Sequence, residues 1–237
     1  MPEELSFELP TDKWDIVIPE NSPLNYEIAV DFYKWNLNEA VIIIVWKWWT
    51  THGYKDKYVT IASNLVKNHW VNVFVVENPW ISWDDPELYF DSAMKFIIDK
   101  MEKLWYKDYK FYGMGFSAWG YFMCRCMNGI NSYSHLFKKL LIINPYLQEN
   151  FDDICHWMMY LACPIIFIQW EYDDYSIYNE KLDKFCRVQT EIWDDFQLFT
   201  LPWVDHQFTQ KGGLELFISL PEKYLFNDTI SPYKQEL

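Results

Sequence analysis

The stretch that most constrains this chain runs from Gly113 to Gly120 and has the sequence Gly-Met-Gly-Phe-Ser-Ala-Trp-Gly. A short apolar run precedes it and a helix-like run follows it, so the serine falls between a strand and a helix. Such a turn brings the strand and the helix very close together, which requires small residues beside the serine. Gly115 satisfies this need before Ser117, whereas Trp119 stands where the second small residue is expected.

The length and composition predict one globular domain that spans residues 1–237. Hydrophobic residues make up 51% of the chain and charged residues 23%, which is typical of a folded protein with a substantial core. We find no internal repeat, low-complexity segment or linker that would mark a domain boundary.

Charge and sequence pattern exclude several classes of partner. The net charge of −14 argues against nucleic acid and anionic membranes, both of which favour basic surfaces. No run is long enough to span a bilayer, and the acidic start lacks the pattern of a signal peptide, so we expect a cytoplasmic protein. Cys124 and Cys126 are interpreted as buried thiols, and we predict neither a metal nor an organic cofactor.

Apolar runs and helical periodicities alternate along most of the chain. Two early segments, 14–18 and 26–33, are separated by Pro19 and Pro23 and predict antiparallel edge strands. An unbroken β-branched run, 41–45, predicts a central parallel strand. The alternation predicts a mainly parallel central sheet flanked by helices. Further strands are expected at 71–76, 109–112, 140–143, 165–168 and 196–201, and helices at 58–68, 88–104, 121–127 and 214–224.

Three reactive side chains follow strands in the order serine, carboxylate, histidine. Ser117 follows one strand, Asp173 and Asp174 follow the strand at 165–168, and His206 follows the last strand. In parallel sheets the chemistry lies at the carboxyl ends of the strands. A serine becomes a useful nucleophile when a histidine takes its proton and an acid orients that histidine.

With these residues the chain resembles the α/β-hydrolase superfamily from about Val41 to the C-terminal helix. The family has its nucleophile on a sharp strand-to-helix turn, and its triad follows the same order. The segment Trp170-Glu171-Tyr172-Asp173 matches the family's Gly-x-x-Asp, with tryptophan in place of glycine. The resemblance therefore implies Asp173 as the acid and His206 as the base, with Asp174 as the reserve acid.

The resemblance also implies an oxyanion hole made of two backbone amides. One is the N–H of Ala118, directly after the nucleophile. The other is expected in the loop after the first parallel strand, at Lys47 or Trp48, where relatives usually have glycine. The short segment between Pro145 and Pro164 predicts a small lid or none.

Tryptophan is unusually frequent and glycine unusually rare. The chain has 14 Trp and 7 Gly, whereas average usage predicts roughly 17 glycines. One hypothesis is that UGA codons that encode glycine were translated as tryptophan. The alternative is a protein that is naturally rich in aromatic residues and has a divergent turn at the serine. The intact mass of protein from the native host distinguishes them. The positions concerned are those where the family has small residues (Trp48, Trp49, Trp119, Trp170, Trp203) and those at turns (Trp70, Trp80, Trp105).

The pattern predicts a serine hydrolase that cleaves an ester, thioester or amide of a small-molecule or peptide acyl substrate. The alternative is a binding protein that keeps the α/β-hydrolase fold without its chemistry. The sequence leaves open the choice between esterase, thioesterase and peptidase, and also the oligomeric state.

Overall fold

A computed structural model describes most of the chain in two compact units, Met1–Lys110 and Phe111–Leu237. The single domain expected from the sequence stays a prediction. The described residues are 15–17, 28–35, 38–46, 51–78, 86–104, 108–127, 131–145, 156, 158–170, 181, 183–184, 187, 196–201, 205–206, 208 and 210–227.

The first unit contains four strands in the order β1-β2-β4-β3. The first two strands and the β2–β4 pair are antiparallel, and β3 pairs with β4 in parallel. This confirms the antiparallel start and the buried parallel strand predicted at 41–45. The prediction of edge strands is wrong for β2, which pairs on both sides, with β1 and with β4. The strands are β1 (Asp15–Val17), β2 (Ile28–Tyr33), β3 (Glu39–Trp46) and β4 (Asn72–Asn78).

Two helices of the first unit pack on β4 through apolar faces. Helix α1 spans Lys57–His69 and buries Ile61, Ala62, Leu65 and Val66, a spacing that places them along one side of a helix. Helix α2 spans Pro86–Lys103 and buries Tyr89, Phe90, Ala93, Met94, Ile97 and Met101 in the same way. Both helices confirm the predicted ones to within about two residues at each end.

Helix α1 ends at a tryptophan in a left-handed backbone conformation. Trp70 has φ 59° and ψ 29°, and its N–H donates to the carbonyl of Val66 at 3.1 Å. Its side chain is 59% exposed, so little packing offsets the backbone strain. This is the position at which helices most often have glycine, as the sequence predicts.

We therefore expect Trp70→Gly to stabilise the protein by about 1 kcal/mol, because glycine adopts this conformation without strain. Urea denaturation of the wild type and the variant measures the difference. Trp70→Ala is the matched control, since alanine removes the indole but keeps the Cβ that causes the strain. Equal stability of the glycine and alanine variants would contradict the interpretation.

A carboxylate is buried in the first unit, away from the predicted catalytic residues in sequence. Asp31 on β2 is 2% exposed, and its Oδ2 lies 3.7 Å from Nε2 of His52. Burial raises the pKa of Asp31, while the Thr51 hydroxyl and His52 oppose this rise only in part. The folded protein therefore binds this proton more tightly than the unfolded chain does, and stability is lost as the pH rises through the raised pKa.

Asp31→Asn removes this pH dependence. We expect the melting temperature of the variant to exceed that of the wild type at neutral pH, and the difference to shrink as the pH falls toward the ordinary pKa of aspartate. Melting curves at several pH values measure it. Asp56→Asn changes a carboxylate that is 71% exposed and serves as the control. A difference that does not vary with pH would show that the charge of Asp31 is not its cause.

The second unit contains four parallel strands in the order β5-β6-β7-β8. Most residues of these strands are buried, and in β7 all six residues are buried. Helices α3 and α4 pack on β6. The elements are β5 (Lys110–Phe116), α3 (Ala118–Cys126), β6 (Phe137–Ile143), β7 (Ile165–Trp170), β8 (Phe196–Leu201) and α4 (Gly213–Leu225).

The mainly parallel arrangement with flanking helices confirms the predicted fold class. Several boundaries differ from the predicted ones. Strand β5 continues to Phe116, four residues beyond its predicted end, and β7 continues to Trp170, two residues beyond its predicted end. Strand β6 begins at Phe137 and α3 at Ala118, each three residues earlier than predicted. The Trp170 side chain is fully buried and packs edge-on against Phe208, with ring centroids 4.9 Å apart. Among the helices that the structure describes, none is both long and apolar enough to cross a membrane.

Candidate active site

Ser117 lies on a strained turn between β5 and α3. Its backbone has φ 57° and ψ −127°, a conformation that non-glycine residues rarely adopt. Its N–H donates to the carbonyl of Ile143 at 2.9 Å, which fixes the turn to the end of β6. Although Ser117 occupies the N-cap position of α3, its side chain makes no capping hydrogen bond. The hydroxyl is therefore presented by the turn rather than used to begin the helix.

The turn requires glycine because the strand and the helix nearly touch. A Cβ added to Gly115 would lie 2.7 Å from the carbonyl oxygen of Trp119 and 2.9 Å from the backbone nitrogen of Gly120. A Cβ on Gly120 would lie 3.0 Å from Ile142. The sequence prediction places the second small residue at 119; the structure places the close approach at Gly120. The Trp119 side chain is instead buried, with its ring 5.3 Å from that of Phe122.

His206 approaches Ser117 from the segment that follows β8. Its Nε2 lies 3.1 Å from the Oγ of Ser117, within hydrogen-bond distance. The two residues are 89 positions apart in sequence, so it is the fold, not the local sequence, that brings them together. The structure thus joins two of the three triad residues that the sequence predicts.

An aromatic ring packs beside His206 and is itself packed against two others. The ring of Phe116, directly before the serine, lies 5.3 Å from the imidazole at an angle of 33°. Phe116 also contacts Phe208 and Phe217, at 5.6 and 5.4 Å between ring centroids. A ring packed at a tilt beside the imidazole limits its rotation, which helps to keep Nε2 directed at the serine.

Asn144 contacts the other nitrogen of the histidine, and the sequence analysis did not assign it a role. Its Nδ2 lies 2.8 Å from Nδ1 of His206. Asn144 is 5% exposed and directly follows β6, and its N–H donates to the carbonyl of Ile168 at 2.6 Å. Phe116 pairs with Ile143 at the ends of two neighbouring strands, so Ser117 and Asn144 are the residues that directly follow those strands. This position beside the nucleophile strand follows from the register of β5 and β6, which the sequence does not show.

The sequence matches no protein-family model and no curated protein. Solved structures do match it over nearly its whole length. An esterase from Pyrococcus furiosus is 14% identical with a TM-score of 0.67, covering 95% of this chain and 94% of its own. A dienelactone hydrolase from Anabaena variabilis is 10% identical with a TM-score of 0.66, covering 92% and 98%. The chain has the α/β-hydrolase fold.

A third matched structure is described as lacking a lid. A serine hydrolase from Xanthomonas campestris, described as an α/β member without a lid, is 16% identical with a TM-score of 0.58 and covers 91% of this chain and 95% of its own. In the α/β-hydrolase fold, a sharp turn between a strand and a helix carries the nucleophile. Ser117 occupies such a turn, between β5 and α3.

Several predicted site residues lie outside the described residues. Ala118 is described: it is the first residue of α3, where helix N–H groups have no partner within the helix. The remaining predicted site residues lie outside the described part of the chain, so their roles stay predictions. They are the acid Asp173, the reserve acid Asp174, the oxyanion-loop residues Lys47 and Trp48, and the tryptophans Trp49, Trp80, Trp105 and Trp203.

Proposed function

We propose that this protein is a serine hydrolase that cleaves a carboxylic ester, thioester or amide through an acyl-enzyme. The observation that carries the proposal is the 3.1 Å contact between Ser117 Oγ and His206 Nε2 on a strained strand-to-helix turn. A serine that only capped a helix would have no need of that backbone strain or of the imidazole.

Each half of the reaction uses two proton transfers at the same imidazole nitrogen. Ser117 Oγ attacks the acyl carbon while its proton passes to Nε2 of His206. That proton then passes to the leaving alcohol, thiol or amine as its bond to the acyl carbon breaks. Water repeats the sequence on the acyl-enzyme: it gives a proton to Nε2, its oxygen bonds to the acyl carbon, and Ser117 recovers its proton as the ester bond breaks.

The negative charge on the acyl oxygen needs preorganised donors. Ala118 offers its N–H at the start of α3, where the helix dipole also favours an anion. The sequence assigns the second donor to Lys47 or Trp48 and the acid of the triad to Asp173, with Asp174 in reserve; these assignments are part of the proposal. The proposed chemistry requires neither a metal nor an organic cofactor.

Esters are the preferred substrate class within this proposal. The matched structures include esterases and a dienelactone hydrolase, and both names describe cleavage of an ester bond. The segment between β6 and β7 is short, which favours small or extended acyl substrates over ones that need a large enclosing lid.

A fluorophosphonate probe tests the proposal, because an activated serine displaces its fluoride and becomes covalently phosphonylated. We expect one labelled peptide containing Ser117, with labelling lost in Ser117→Ala. Short p-nitrophenyl esters should be hydrolysed by the wild type and not by that variant. A folded wild type that is neither labelled nor active would contradict the proposal and favour the non-catalytic binding protein.

A further inference from the structure

Asn144 is placed to orient the catalytic histidine. Its side-chain amide lies 2.8 Å from Nδ1 of His206, while Nε2 on the opposite side of the ring contacts Ser117. The three side chains thus form a continuous chain, amide to imidazole to hydroxyl. We propose that Asn144 is the positioning residue of His206 and that its amide determines which ring nitrogen carries the proton. This inference rests on the proposed hydrolase function.

The backbone holds Asn144 firmly at this point. Its N–H donates to Ile168 on β7, and the N–H of Ser117 donates to Ile143, the residue before it. Asn144 has φ 42°, a left-handed conformation that asparagine tolerates better than most residues. The nucleophile and the amide are therefore fixed by consecutive hydrogen bonds across three neighbouring strands.

The chemistry of an amide gives this contact a particular consequence. An amide nitrogen can only donate, so with Nδ2 against Nδ1 the histidine proton lies on Nε2 and is donated to Ser117. That tautomer cannot accept the serine's proton. Turning the amide about its terminal bond places Oδ1 against Nδ1, which favours the tautomer with the proton on Nδ1. Nε2 then releases its proton to solvent water while Nδ1 takes one up from water, and Nε2 is ready to accept.

Asparagine thus supports both a resting and a working histidine, whereas a carboxylate supports only the working one. A carboxylate accepts without donating, so it would hold the proton on Nδ1 permanently. An asparagine in this role also occurs in the unrelated cysteine proteases that use a Cys-His-Asn arrangement. Asn144 therefore orients the histidine alongside the proposed acid Asp173, and the comparison of variants below separates the two contributions.

Two substitutions separate the side chain from the backbone. Asn144→Gly removes the amide but adopts the left-handed conformation without strain. Asn144→Asp keeps the size and one acceptor oxygen. We expect Asn144→Gly to lower kcat/KM for a p-nitrophenyl ester about 10- to 100-fold while the melting temperature stays near that of the wild type. Asn144→Asp should restore at least wild-type activity and shift the acidic midpoint of the pH–rate profile upward.

Comparison with Asp173→Asn tests the competing assignment in the same assay. If Asp173 alone oriented the histidine, Asp173→Asn would lose activity by about 10⁴-fold and Asn144→Gly would lose none. That result would overturn the proposal. So would an Asn144→Asp variant no more active than Asn144→Gly.

Nitrogen NMR of the imidazole makes the test independent of catalysis. Protein labelled with ¹⁵N in its five histidines, with His206 assigned by its loss in His206→Gln, reports which ring nitrogen carries the proton. We expect the Nε2–H form in the wild type, the Nδ1–H form in Asn144→Asp and a mixture in Asn144→Gly. Unchanged His206 resonances in both variants would refute the role of Asn144, whether or not Ser117 reacts with the fluorophosphonate.

Discussion

Replacing His206 with glutamine is expected to slow ester hydrolysis by about 10⁴-fold or more, with little change in KM. Its Nε2 lies 3.1 Å from Ser117 Oγ, and an amide at that place cannot take up the proton that the attack releases. Steady-state kinetics with a p-nitrophenyl ester measure the loss. Fluorophosphonate labelling of Ser117 should fall in parallel, since it depends on the same proton transfer.

A double variant tests whether the two residues act as a unit. If they do, Ser117→Ala combined with His206→Gln should be about as slow as either single variant, because residues that share one step have non-additive effects. His135→Gln changes a histidine just before β6 and serves as the control with near wild-type activity. Losses that multiply in the double variant would mean that His206 and Ser117 contribute separately.

The second large effect is expected at Gly115. Alanine there would place its Cβ 2.7 Å from the carbonyl oxygen of Trp119 and 2.9 Å from the backbone of Gly120. Backbone atoms cannot move aside as a flexible side chain can, so the strand and the helix must separate. We expect Gly115→Ala to lower the free energy of unfolding by about 3 kcal/mol and to abolish labelling of Ser117.

Gly120→Ala is the matched comparison for that substitution. The Cβ there would meet the Ile142 side chain at 3.0 Å, a contact that a small side-chain rotation can relieve, and the backbone carbonyl of Gly115 is farther away, at 3.2 Å. Urea denaturation should therefore show a smaller loss for Gly120→Ala than for Gly115→Ala. Equal losses would mean that the turn does not depend on the close approach at Gly115.

Local sequence pattern was sufficient to predict the strands and helices. The run from Val41 to Val45 has no polar residue, so it fits only a strand buried on both faces. The spacing of Ile61, Ala62 and Leu65 fits only a helix with one apolar side. Ser117 and His206 could be predicted because each follows such a strand, and parallel strands end at one edge.

The residue against Nδ1 could not be predicted in this way. Asn144 is followed by Pro145, a pair that indicates a turn in any fold. Its partner, His206, is 62 positions away, and only the register of β5 and β6 shows that Asn144 stands beside the nucleophile. Contacts of this length depend on strand order, which periodicity does not contain.

The three described tryptophans at predicted glycine positions lie in two kinds of surroundings. Trp70 adopts a backbone conformation suited to glycine and leaves its ring in solvent, which favours the recoding hypothesis. Trp119 and Trp170 are buried among other aromatic rings, where their bulk fills space. A tryptophan at a predicted glycine position is therefore not by itself evidence that the position needs glycine.

The strand that leads to the histidine, β8, lies at one end of the strand order of its unit. Within the described part of the second unit, β8 pairs with β7 alone, whereas β6, before Asn144, has a partner on each side. Edge strands separate from a sheet at a lower free energy than interior ones. Mild denaturation would thus withdraw the proton acceptor while β6 and the amide that follows it stay in place. Enzymatic turnover would then disappear at a denaturant concentration at which circular dichroism still reports a folded protein.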